Sequence, residues 1–197
     1  MKWALAAAGV VVLGLLGCQQ RPPAEVYGRL PDFVLTDQTG AAFSSRDLAG
    51  RVALLDFIYT HCTEACPVLS STFAQAQRKL ADDNLLRSRV MLLSVSVDPE
   101  HDTPAALAEY GQNFKADAQG WKLLTGDWDQ VFDVVTGLKL ATRPPRPSVG
   151  APPPGGAELT HTTRVVLIDG QGQVRGYLDG LDSSADSLVA AARRVAQ

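Results

Sequence analysis

The chain has 197 residues, 18 Lys+Arg against 21 Asp+Glu and a formal net charge of −3; without residues 1–17, whose one charged residue is Lys2, the balance is −4. A surface of that sign offers no general attraction to a phosphate backbone, which argues against nucleic acid as a partner. With 46% hydrophobic and 20% charged residues, the composition is that of one ordinary globular domain and excludes a collagen, a coiled coil and a disulfide-stapled miniprotein.

Residues 1–18 read MKWALAAAGVVVLGLLGC, with Lys2 ahead of an apolar run from Trp3 to Gly17. That run is short for a membrane-spanning helix, which needs about 20 residues, but it suits the apolar core of a secretion signal. Its end, Leu15-Leu16-Gly17-Cys18, resembles the bacterial lipobox. The resemblance implies cleavage before Cys18 and a diacylglyceryl anchor on its thiol; an uncleaved anchor helix is the plainer alternative. Residues 19–31 are polar, carry three prolines and suit a tether. The division expected is a signal peptide at 1–17, a tether at 18–27 and a folded domain at 28–197. That domain faces a non-cytoplasmic compartment, where disulfides are permitted.

Arg51–Tyr59 (RVALLDFIY) is a nearly continuous apolar run, the pattern of a strand buried on both faces. Pro67 opens helical spacing that runs to about Leu80, proline being tolerated in a first helical turn. Val90–Val97 (VMLLSVSV) is a second buried strand. Thr103-Pro104 is a cap-plus-proline start for a helix to about Phe114, Trp121–Leu124 a short third strand, and Asp127 the cap of a helix to Leu138. Arg164–Asp169 and Gln173–Leu178 flank a hairpin turn at Gly170-Gln171-Gly172, and Ser184–Val195 closes the chain as a helix. Strands alternating with helices predict a mostly parallel α/β sheet, with the terminal hairpin as an antiparallel edge. Arg143–Glu158 holds six prolines and three glycines. It can continue neither a helix nor a central strand, and a loop of that length is commonly functional or disordered.

Cys62 and Cys66 lie between the first long strand and the first helix, a junction where α/β folds place their sites. A spacing of four puts both sulfurs on one side of a first helical turn, about 6 Å apart at the Cα atoms. That separation permits a disulfide or a shared metal ion. The helix N-terminus favours thiolates, so both pKa values are expected to be lowered. The pair alone does not separate a redox dithiol, a metal site and a stapling disulfide. Among the three histidines, His61 alternates away from Cys62 in an extended segment and reads as a poor ligand. His101, in a polar turn, reads as solvated. His161 follows the proline-rich loop and precedes a strand that could lie beside the cysteine-bearing one.

Three segments, DFIYTHCTEACP, SVSVDPEHDTP and LTHTTRVVLIDGQGQVRGYLDG, resemble the signature segments of the Sco/SenC family, in its order, over roughly residues 28–196. The resemblance implies a thioredoxin-like fold: a central mixed sheet flanked by helices, with the proline-rich loop before the ligand histidine. It implies copper held by Cys62, Cys66 and His161, with Asp98 as an acidic neighbour of the site. It also implies attachment to a bacterial membrane on the periplasmic side, the inner membrane being favoured, and a partner in the copper-centre subunit of cytochrome c oxidase, fed by an upstream copper donor. Two departures stand out. Thr63-Glu64-Ala65 replaces the Pro-Asp common between the cysteines, and Thr160 stands where an Asp often precedes the histidine; such a carboxylate would orient the imidazole.

Two thiolates and an imidazole form a soft, three-coordinate set suited to cuprous ion, whereas structural zinc normally takes four protein ligands. Disulfide formation would remove two ligands and release the metal. Copper delivery is therefore the function expected. The alternative is a thiol–disulfide oxidoreductase using Cys62 and Cys66, against which stand the three-residue gap between the cysteines and the absence of a proline in Leu159-Thr160-His161-Thr162-Thr163.

Overall fold

The computed structural model describes residues 25–146, 148 and 162–196. Cys18 and His161, and with them the signal and most of the proline-rich loop, lie outside the described residues.

Two of the apolar runs form the centre of the sheet. Strands β4 (Val52–Ile58) and β5 (Val90–Ser96) are buried at every position. They pair in parallel, from Val52 opposite Val90 to Ile58 opposite Ser96. β6 (Trp121–Thr125) joins β5, also in parallel. Alternation sends successive side chains to opposite faces. Ala53, Leu55, Phe57, Met91, Leu93 and Val95 pack with α3 (Trp128–Gly137). Val52, Leu54, Ile58, Val90 and Leu92 pack on the opposite layer, made of α1 (Ala65–Asp82), α2 (Pro104–Asn113) and α4 (Ala185–Val195). Helices on both faces explain why these strands are apolar throughout rather than alternating.

The hairpin of β7 (Arg164–Ile168) and β8 (Gln173–Asp179) adds to the other side of β4. β7 runs antiparallel to β4, with Leu55 opposite Val166. Gly172, at φ 74°, closes the hairpin turn with its N–H on Asp169 O at 2.9 Å, a left-handed conformation that glycine adopts without penalty. β1 (Gly28–Arg29) pairs with β8, and the hairpin of β2 (Val34–Asp37) and β3 (Ala42–Ser44) attaches to β6. The order is β1-β8-β7-β4-β5-β6-β2-β3.

Two expectations are corrected here. Only β4·β5 and β5·β6 are parallel, so the sheet is mixed rather than mostly parallel, and the terminal hairpin sits inside the sheet instead of forming its edge. The end of the polar stretch 19–31 is folded: Gly28 and Arg29 hydrogen-bond along β8, and Leu30 is buried. The β2–β3 hairpin escaped notice because its strands are short and each has one deeply buried apolar residue, Leu35 and Phe43. What holds it is polar. Asp37 Oδ1 accepts from Thr39 N and Ala41 N, while Asp37 Oδ2 meets Lys122 Nζ of β6 at 2.6 Å.

Two helix starts follow the caps read in the sequence, and the closing helix is capped at its expected first residue. Thr103 accepts from Ala106 N, Asp127 from Asp129 N and Ser184 from Ser187 N. α1 differs. It begins at Ala65, before Pro67, and has no oxygen cap from its N-cap residue Glu64.

Candidate functional site

The missing cap of α1 is supplied by sulfur. Cys66 N–H, one of the donors that a first helical turn leaves unpaired, points to Cys62 Sγ at 3.3 Å. Cys62 sits in the turn leaving β4, its own N–H on Tyr59 O at 3.2 Å. It is half-buried, whereas Cys66 is 5% exposed and packs into the layer of Phe73 and Tyr110. Both thiols are free.

Their acidities are opposed, which corrects the expectation that both would be lowered. For Cys62, burial pushes the pKa up, but hydrogen bonds from the Cys66 thiol, from the Cys66 and Glu64 N–H groups and from the Tyr59 hydroxyl prevail and hold it below the ordinary thiol value. For Cys66, burial dominates. Its thiol donates to Cys62 and lies near the charges of Cys62 and Asp56, so its pKa is pushed well up. Tyr59, also desolvated and next to Cys62, is pushed up to about 12. Of the two thiols Cys62 is thus the more acidic, and the Cys66 thiol donates to it.

Beneath the pair lies Asp56, fully buried in mid-β4 on the Cys66 side of the sheet. Burial raises its carboxyl to about 7. Ser94 of β5 stands opposite it and tempers the shift, but Ser94 Oγ accepts Trp121 Nε1–H at 3.0 Å, and neither oxygen of Asp56 has a hydrogen-bond partner among the described residues. Asp56 was missed as a site residue; the signal was an acid inside an otherwise apolar run.

The turn is held from the other side by Asp102. Its carboxylate accepts Thr60 Oγ1–H at 2.5 Å, Thr60 N–H at 3.1 Å and Ser96 Oγ–H at 2.5 Å. This ties the cysteine turn to the end of β5. Asp98, named in the sequence reading, is also fully buried, with Oδ1 2.8 Å from His101 Nδ1. His101 is therefore not a solvated residue. Its side chain is only 28% exposed, and its ring stands edge-on to His61 with centroids 6.3 Å apart. The turn that reads as polar in sequence folds back onto two buried carboxylates.

β7 starts at the end of β4 from which the cysteine turn departs, because the two strands are antiparallel. Thr163 O accepts Gly180 N–H at 2.8 Å, and a Cβ on Gly180 would collide with Thr163 O and with Leu69 of α1. The chain thus re-enters the sheet at Arg164, at the end of β4 from which the cysteine turn departs. His161, three residues earlier, lies outside the described residues, as does Cys18. Among the described residues, no helix is long and apolar enough to cross a membrane.

The SCO1/SenC family model matches residues 22–197. The chain belongs to the SCO1/SenC family. It is 28% identical over 180 residues to the SCO1 protein homolog of Bacillus subtilis, covering 90% of this chain and 88% of that one. Its fold is similar to that of a SCO1/SenC family lipoprotein from Bacillus anthracis, with TM-score 0.73 and 27% identity over 86% of this chain and 96% of the other. It is also similar to ScoI of Bradyrhizobium japonicum, solved with copper bound, with TM-score 0.65 and 29% identity over 85% of this chain and 99% of that one. The SCO1/SenC fold is thioredoxin-like, here the core β6-β5-β4-β7-β8 extended by β1 on one side and the β2–β3 hairpin on the other.

Proposed function

We propose that this SCO1/SenC protein is a membrane-tethered copper carrier. In this reading it holds cuprous ion on Cys62, Cys66 and His161 and passes it to the dinuclear copper centre of cytochrome c oxidase, the acceptor the family resemblance implies. Cys18 carries the lipid, residues 18–27 form the tether, and the domain works at the periplasmic face of the inner membrane. The observation that carries the reading is the pair of free sulfurs at the start of α1, with Cys66 N–H directed at Cys62 Sγ at 3.3 Å. Such a pair fits a soft monovalent ion. The similarity to ScoI, solved with copper bound, supports copper over other soft ions.

Cys62 gives up its proton more readily than Cys66, and metal binding as thiolate takes the proton from each, so loading is coupled to deprotonation. Asp98, buried behind the turn, acts as an acidic neighbour rather than as a ligand of copper. A histidine on a separate loop suits transfer, since one ligand can leave and admit a ligand of the acceptor.

The test is an anaerobic titration of the reduced protein with cuprous ion against a competing chelator, beside Cys62→Ser and His161→Ala. One tightly held copper, weakened about tenfold or more by His161→Ala (about 1.4 kcal/mol), is the result expected. Equal binding by His161→Ala would remove the three-ligand site.

The opposed acidities favour one second reading, a thiol–disulfide oxidoreductase in which Cys62 attacks and Cys66 resolves. Reduction of a test disulfide at equal rates by the wild type and His161→Ala, with no difference in copper binding, would put that reading first.

A further inference from the structure

We propose that His61, Asp98 and Asp102 form a second metal site, for a divalent transition-metal ion, beside the dithiol and independent of it. The three residues come from separate places: the cysteine turn, the end of β5 and the segment leading into α2. Yet one ligand atom from each lies within 4.8 Å of the other two.

Two observations make this more than a cluster of acids. Asp98 is fully buried, and while Oδ1 is bound to His101, Oδ2 has no hydrogen-bond partner among the described residues. A buried carboxylate oxygen left without a partner is costly, and a second carboxylate close by makes the cost larger. A cation on Asp98 Oδ2 removes both penalties. The other groups are already positioned. Asp102 is fixed by Thr60 and Ser96, and His101 orients Asp98 through Oδ1, as outer partners orient ligands in metal sites.

The donor chemistry selects the ion. Two carboxylates and a neutral imidazole carry a charge of about −2, matched by a divalent cation, and a nitrogen–oxygen set suits zinc, cobalt, nickel or cupric ions. Cuprous ion prefers the sulfurs. The turn would therefore sort metals by softness, its thiols on one side and His61 on the other. His61 is exposed, which leaves room for water to complete the coordination.

The probe is cobalt(II), added to the full chain carrying Cys62→Ser, Cys66→Ser and His161→Ala, so that no ligand of the proposed copper site remains. We expect one cobalt per chain, with weak ligand-field absorption and no thiolate charge-transfer band. His61→Ala and Asp98→Asn, each added to this background, should weaken binding about tenfold or more. No cobalt binding in the background, or unchanged binding after His61→Ala, overturns the proposal. Because His61 is exposed, its replacement decides the matter even if Asp98→Asn fails to fold. Cuprous titration of the chain with its dithiol intact reports on the copper reading separately, so failure of either proposal is recognised without the other.

Discussion

Thr60 and Asp102 are 42 residues apart, and their side chains meet at 2.5 Å, Thr60 Oγ1 donating to Asp102 Oδ1. The contact joins the turn that carries Cys62 to the segment that caps α2. Since Thr60 N–H donates to the same carboxylate at 3.1 Å, Asp102 sets the path of the backbone just before the cysteines.

Thr60→Val removes the hydroxyl and leaves a buried carboxylate short of a partner. The expected loss is about 1–3 kcal/mol in urea denaturation. Combining it with Ser96→Ala, which removes the other hydroxyl on Asp102, should give a non-additive loss, because both act on one carboxylate. Additive losses would mean that the two hydroxyls work separately.

Reaction with iodoacetamide should modify Cys62 well before Cys66, located by peptide mass spectrometry. Cys62 is half-buried with its pKa held down, whereas Cys66 is buried with its pKa pushed up. Cys66→Ala takes away the thiol proton that Cys62 accepts. It should slow alkylation of Cys62 near pH 7 by roughly severalfold, through a smaller thiolate fraction.

Asp56 makes the stability of the reduced, metal-free protein depend on pH. Its carboxyl is raised to about 7 in the folded state, so the folded chain keeps a proton that the unfolded chain has already lost. Stability is therefore greatest below the ordinary carboxylate range, falls between about pH 4 and 7, and is level above. The full shift corresponds to a loss on the order of 4 kcal/mol. Asp102, raised mainly by burial, acts in the same direction. Asp56→Asn should flatten the dependence and be more stable than wild type at pH 8 in denaturant titrations; an unchanged pH profile would mean that folding does not shift the Asp56 carboxyl.

Lys122→Met leaves Asp37 buried without its cation. Asp37 is 1% exposed and keeps only its bonds from Thr39 and Ala41. A loss of about 3 kcal/mol is expected. Burial alone would raise the Asp37 pKa, but Lys122 and the turn donors bring it below the ordinary value. The wild-type link therefore contributes stability above the carboxylate range and loses it as pH falls. The deficit of Lys122→Met should accordingly be largest near neutrality and shrink in acid.

The parts of this protein readable from sequence are those where one physical pattern acts locally. Continuous apolar runs located β4 and β5, and Thr103 and Asp127 marked two helix starts, since a capping oxygen reaches only its own first turn. Three motifs in order carried the family resemblance, and with it the thioredoxin-like fold. The spacing of Cys62 and Cys66 pointed to neighbouring sulfurs, but Cys62 lies before the helix, two residues ahead of its N-cap Glu64, and only Cys66 is in α1. The β2–β3 hairpin was not readable, because its stability comes from Lys122, 85 residues beyond Asp37.

The acidities at the site were decided by tertiary structure alone. A helix N-terminus lowers both thiols by the same reasoning, yet Cys66 is carried into the core by the face of α1 that buries Leu69 and Phe73, and desolvation there outweighs the helix. The polar turn Pro99–Thr103 offered no sign that His101 and Asp102 face inward. They do so because β5 ends beside the cysteine turn, bringing Thr60, Ser96, Asp98 and Asp102 together from segments that share no local pattern. Sequence determined which residues could bind metal through sulfur; the packing of β4 against β5 decided which of their neighbours carry charge and where that charge lies.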